Sequence, residues 1–296
     1  MKRNIKKFLF PAVAVAVLSF AACSDWTETE SLDINYPTLE EQNPELYKQY
    51  LKALRDYKAG EHKVVLVSMD NTTSAPAQRN EHLTTMPDSV DIICLMNPDN
   101  LHPTLAGEFA KVREKGTRVI YNIDYNAIEK LWEKVLADEE ANKPEEPTNP
   151  STPEATQDEG GEGGGEGEPT PEEELEVRFL EFGRQQTVSQ LNLCAKYGYD
   201  GVQVNYTGRA PQAMQEEEKA QYAARQEAFF SNVKTWNEAN SGKVLVFQGN
   251  PQNLIDKSVL GECDYIVIPA LTATSADKMS FAVLMAAVED VPTDRF

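Results

Sequence analysis

Residues 196–207 read Lys-Tyr-Gly-Tyr-Asp-Gly-Val-Gln-Val-Asn-Tyr-Thr, and within them residues 202–206 read as a strand. A long helical stretch precedes it over 173–197, with Leu175, Phe179 and Phe182 on one stripe. A second helical stretch follows over 216–240. The unit is therefore helix, strand, helix.

The same alternation runs along the chain in both directions. Apolar runs at 64–69, 90–96, 118–124, 244–247 and 265–268 read as strands. Helices are expected over 44–58, 105–115 (closed by Gly116), 126–136, 253–260 and 281–288. Leu46, Tyr50, Leu51 and Leu54 share one face of the first. Continuous β-branched runs, each followed by a helix, imply parallel strands covered on both faces. The expected fold is α/β, a TIM-like (β/α)8 barrel with about six βα units visible. Because a closed barrel needs eight strands, a C-terminally truncated chain is expected. A doubly wound sheet is the alternative, but Asp70-Asn71-Thr72-Thr73 after the first strand is no phosphate cradle.

In such a barrel, function sits at the C-terminal strand ends. Here they carry Asp70 and Asn71, Asn97, Asn122 with Asp124 and Tyr125, Asn205 with Tyr206, and Gln248 with Asn250. Amides donate and accept hydrogen bonds, and aromatic faces pack on sugar rings, so this set suits a neutral glycan. Amides that merely cap the following helices would look the same.

Asp200, Gly201 and Tyr206 give residues 200–207 a resemblance to the fourth strand of family 18 glycoside hydrolases, the chitinase and endo-β-N-acetylglucosaminidase type. That strand runs Asp-Gly-x-Asp-x-Asp-x-Glu. The resemblance implies that its glutamate protonates the glycosidic oxygen. The neighbouring aspartate holds the substrate acetamido group, which acts as nucleophile. In this chain Gln203, Asn205 and Thr207 occupy those three acid positions. Thr207 is too short and too weakly acidic to serve as a general acid. Asn205 can bond an acetamido group but lends no charge to an oxazolinium. Residues 82–92 and 112–119 resemble the approaches to the second and third strands in Bacteroidetes family 18 lipoproteins. The resemblance thus implies a non-catalytic barrel that binds N-acetylglucosamine-containing glycans or glycoproteins. Two other readings stay open: an active endo-glycosidase with its acid relocated to Asp124 or Asp70, and a structural lipoprotein subunit.

The N-terminus sets the compartment. Lys2, Arg3, Lys6 and Lys7 precede an apolar run over 8–22, too short to span a membrane comfortably. It closes Leu-Ser-Phe-Ala-Ala-Cys, which resembles a lipobox with Cys23 as the lipidated residue. The acidic stretch after Cys23 resembles a surface-export signal. Residues 1–22 are thus expected to be a lipoprotein signal peptide, 23–43 a tether and 44–296 the barrel domain. The implied location is the outer membrane, lipid-anchored and surface-exposed, beside a glycan-uptake complex.

The net charge is −20, but residues 138–176 hold fifteen acids and one lysine, so most of it lies in one segment. Residues 138–172, rich in Pro, Gly and Glu, are expected to be a disordered insertion. No basic patch with interleaved aromatics appears, so nucleic acid is not an expected partner. Cys94, Cys194 and Cys263 read as buried apolar residues. His62, His82 and His102 all lie in the first third of the chain, and neither a Cys–His pair nor a metal or other cofactor is expected.

Overall fold

A computed structural model describes residues 37–143 and 169–296. The expected leader over 1–22, Cys23 and residues 144–168 of the expected insertion lie outside the described residues. Two units separate at Tyr50. The first contains a short helix α1, Leu39–Gln42, closed by a capping box between Thr38 and Glu41, and the start of α2, Pro44–Ala59. The expected tether to residue 43 thus ends in a helical turn. Leu46 and Tyr50 are exposed on α2, whereas Leu51 is buried.

The second unit holds six parallel strands in chain order: β1 Leu66–Met69, β2 Ile92–Leu95, β3 Arg118–Asp124, β4 Gly201–Tyr206, β5 Val244–Gly249 and β6 Tyr265–Val267. Helices α3 Pro103–Glu114, α4 Tyr125–Ala141, α5 Pro171–Tyr197, α6 Glu216–Ala239 and α7 Ala276–Ala286 complete it. Sequential parallel strands with helices between them make a partial TIM-like barrel.

Three expectations are corrected. No α-helix joins β1 to β2. Two 3-10 turns, Arg79–Glu81 and Leu83–Thr85, do so between Pro76 and Pro87, whose missing N–H groups discourage a longer helix. Residues 253–260 likewise form parts of two 3-10 turns, Pro251–Asn253 and Ser258–Gly261, not a helix. The insertion expected over 138–172 is shorter among the described residues: α4 runs to Ala141, and α5 opens at Pro171 on a capping box between Thr170 and Glu173.

Alternation sorts the strand residues onto two faces. Ile93, Leu95, Val119, Tyr121, Val202, Val204, Leu245 and Phe247 pack with Phe109, Phe179, Leu191 and Val233 of the helices. Ile92, Cys94, Ile120, Val244 and Val246 form a smaller inner cluster. At Gly201 a Cβ would lie 2.1 Å from the Val244 carbonyl oxygen, which demands glycine. All three described cysteines are buried and unpaired, and burial pushes the Cys94 and Cys263 thiols up to about 12.

On α7, Phe281, Leu284 and Met285 are exposed, as Leu46, Tyr50 and Tyr57 are on α2. Among the described residues no helix is long and apolar enough to cross a membrane.

Candidate functional site

Strand register stacks the inner-face residues into layers. Ser68, Cys94, Ile120, Gly201 and Val244 align across β1–β5 in a mostly apolar layer. One step toward the C-terminal ends lie Asn122, Gln203, Val246 and Tyr265. The next layer is Asp124, Asn205, Gln248 and Val267. The polar residues therefore gather at the end where barrels build their sites.

Gln203 is fully buried and links three strands. Its Nε2 donates to Asn122 Oδ1 at 3.1 Å and to Gln248 Oε1 at 2.5 Å. Its Oε1 has no partner among the described residues. Exchanging O and N in all three amides would leave an unpartnered Nε2 instead, so one buried polar atom of Gln203 stays unpaired in either arrangement. Such an atom costs about 1–3 kcal/mol. Asn205 is half-buried, and among the described residues its amide takes no hydrogen bond. In the arrangement with Gln203 Nε2 as donor, Asn122 Nδ2 and Gln248 Nε2 take no hydrogen bond among the described residues.

Thr207 is tied into the loops: its Oγ1 accepts from Asn126 Nδ2 at 3.2 Å, and its carbonyl accepts from Asn250 at 3.1 Å and Asn253 at 2.8 Å. Asn250 thus braces a loop. Asp124 caps α4, its Oδ1 accepting the Asn126 N–H at 3.1 Å. Burial raises its carboxyl pKa, against the opposing effects of that hydrogen bond and Lys130.

A cleft of about 600 Å³ opens at the ends of β1–β3. Asp70, Asn71, Asn97, Asn122 and Asp124 line it, joined by Asp99, Gln186 and Gln190. Asn71 is itself clamped: it donates to the Asn97 carbonyl at 2.7 Å and accepts the Asn97 N–H at 3.0 Å. Asn205 pairs with Asp124 in register and Gln248 with Asn205, but neither is among the cleft-lining residues. Tyr125 and Tyr206, expected as sugar platforms, sit in the helix-side core, 6% and 1% exposed. Their rings meet at 5.1 Å, and the Tyr206 hydroxyl accepts from Gln226 Nε2 at 2.7 Å. Neither ring faces the cleft. Gln190 and Asp99, which do line it, come from a helix flank and a loop beyond the strand-end pattern, so inspection of strand ends misses them.

Asp200 serves the frame. It accepts the Val119 N–H at 2.8 Å and pairs with the Arg113 guanidinium at 2.9 Å. The histidines are also engaged away from the cleft: His62 with Asp91, His82 with Glu108, and His102 as the α3 cap. Among the described residues no group of three or more His, Cys, Asp or Glu side chains could hold a metal ion.

The family model for glycoside hydrolase family 18, BT1044-like, matches residues 27–158 and 175–294. A selenomethionine structure of a BT1044 variant aligns with 86% of this chain and 71% of its own, at 17% identity and a TM-score of 0.51. The glycoside hydrolase domain of PelA from Pseudomonas aeruginosa aligns with 79% of this chain and 82% of its own, at 13% identity and a TM-score of 0.38. No curated protein matches the chain.

Proposed function

The chain belongs to glycoside hydrolase family 18, in its BT1044-like group, and on that premise we propose that it binds N-acetylglucosamine-containing glycans or glycoproteins without cleaving them. The observation that carries this reading is the amide bridge of Asn122, Gln203 and Gln248, with Asn205 beside it and Thr207 beyond. An amide holds no transferable proton at neutral pH, and the Thr207 hydroxyl is no acid. Of these amides Asn122 lines the cleft, where it can receive an acetamido group, a donor and acceptor of its own kind. The open cleft of about 600 Å³ has room for sugar residues and argues against a purely structural subunit.

We further propose that Cys23 is lipidated and tethers the protein at the outer-membrane surface, as a pseudoenzyme of carbohydrate metabolism beside a glycan-uptake complex. The lipobox-like residues 18–23 support this. Metabolic labelling with a radioactive fatty acid should mark the protein, and Cys23→Ser should lose the label.

The central test is calorimetric titration with chitooligosaccharides and high-mannose N-glycans. Saturable binding with no released product after long incubation is expected. Binding to none of them would sink the proposal.

One observation favours a second reading, an active endo-β-N-acetylglucosaminidase. Asp124 lines the cleft, adjoins Asn205 in register and has its pKa raised by burial, the direction a general acid needs. Product release from a glycoprotein that Asp124→Asn abolishes would establish it.

A further inference from the structure

Three carboxylates line the strand-end cleft: Asp70, Asp99 and Asp124. No Lys, Arg or His is among the lining residues. Each carboxylate is held by a neutral donor. Asp70 Oδ1 accepts from Asn97 Nδ2 at 2.7 Å, and Asp99 Oδ2 accepts from Gln190 Nε2 at 3.3 Å. Asp124 takes a backbone N–H, with Lys130 as the nearby cation acting on it. Neutral partners orient a carboxylate but leave its charge in place. At the cleft's inner side, Asn122 is joined to fully buried Gln203, whose Oε1 is unpartnered. The cleft therefore combines carboxylates, with no cation in its lining, and uncharged hydrogen-bonding ends.

Resting on the glycan-binding reading above, we propose that this cleft selects glycans by charge, accepting uncharged sugar ends and excluding those that carry a carboxylate or sulfate. A sialic acid placed among Asp70, Asp99 and Asp124 meets like charges with no cation in the lining to offset them. A neutral sugar offers hydroxyl and acetamido groups, which both the carboxylates and the amides can bond. Asp70 and Asp99 are exposed and Asp124 is half-buried, so salt should screen much of this repulsion.

The test compares two N-glycans that differ only in terminal sialic acid, titrated into the full chain at about 0.02 M and about 1 M salt. The uncapped glycan should bind roughly tenfold more tightly at low salt, and the gap should shrink to about threefold or less at high salt. Substituting Asp70→Asn and Asp99→Asn together should shrink the gap at low salt as well. That result separates these side chains from the overall charge of −20. Equal binding at low salt would overturn the charge inference and leave glycan binding standing. So would a gap indifferent to both salt and substitution, because it would be steric. Failure of both glycans to bind at either salt would overturn the glycan reading and this inference with it.

Discussion

The two ends of the sheet use polar groups in opposite ways. At the N-terminal end three aspartates each stand directly before a strand, and each carboxylate accepts a backbone N–H from the neighbouring strand or the residue that leads into it. Asp91 takes Val65 at 2.7 Å, Asp200 takes Val119 at 2.8 Å and Asp264 takes Leu245 at 2.9 Å. At the C-terminal end the inner-face groups are mostly amides, and Gln203 Oε1 among them is buried without a partner. The charged end is fully engaged with its own backbone. The amide end is left to engage something else. Stability and recognition are thus separated along the strand direction.

Asp200→Ala tests the charged end hardest. It strips the acceptor from the Val119 N–H and leaves the Arg113 guanidinium without its carboxylate, so a loss of about 2–4 kcal/mol is expected in urea unfolding. A loss under about 1 kcal/mol would erase the difference between the two ends.

At the amide end, Gln203→Met should change stability by no more than about 1 kcal/mol. It removes the unpartnered Oε1 together with two hydrogen bonds, and those effects oppose each other. The same variant should lose glycan binding in calorimetry. A severe loss of stability with binding intact would reverse the assignment.

His62 sharpens the charged end through pH. Its Nδ1 faces the Gly60 carbonyl at 2.9 Å and its Nε2 faces Asp91 at 3.0 Å. Both are acceptors, so the imidazolium is favoured and the pKa is raised, by the Gly60 bond first and by Asp91 next. A raised folded-state pKa gives stability that is full below the unfolded value of about 6.5 and is lost as pH rises through the folded value. Thermal melts across that window should show the decline, and His62→Gln should flatten it.

The smallest effect is expected from Asp124→Asn. Asparagine caps a helix as well as aspartate, so stability near neutrality should move by only about 0.5 kcal/mol. Because burial raises the Asp124 pKa, its ionisation opposes folding. Its contribution should fall as pH climbs from about 4 through the folded value, and the amide variant should lack that slope.

Much of this architecture was legible from alternation alone. The third strand was expected over 118–124 and is found at Arg118–Asp124. The fourth was legible to within one residue because Val202, Val204 and Tyr206 alternate with Gln203 and Asn205. That alternation also held the signal for the misplaced aromatic: Tyr206 shares its parity with two core valines and therefore faces the helices. Tyr125 lies inside the first turn of α4, where strand parity no longer governs direction. Leu175 was expected with Phe179 and Phe182, but it is 38% exposed near the helix start, whereas Phe179 packs on Trp132. The aspartate clamps were illegible for a different reason. Each partner lies 19 to 81 residues away, and only the folded sheet brings it near.

The joint between α4 and α5 has its own consequence. Trp132 stacks against Phe179 and Phe182, Arg178 lies over the Trp132 ring, and its Nη2 donates to Glu139 at 2.6 Å. The two helices thus grip each other close to where residues 144–168 leave and return. With the junction held by its own side chains, the length of what lies between matters little: each doubling costs only about 0.6 kcal/mol of closure entropy. A fluorescent module or an affinity tag spliced there should be carried as cargo, giving the barrel a handle at the gripped ends of two helices.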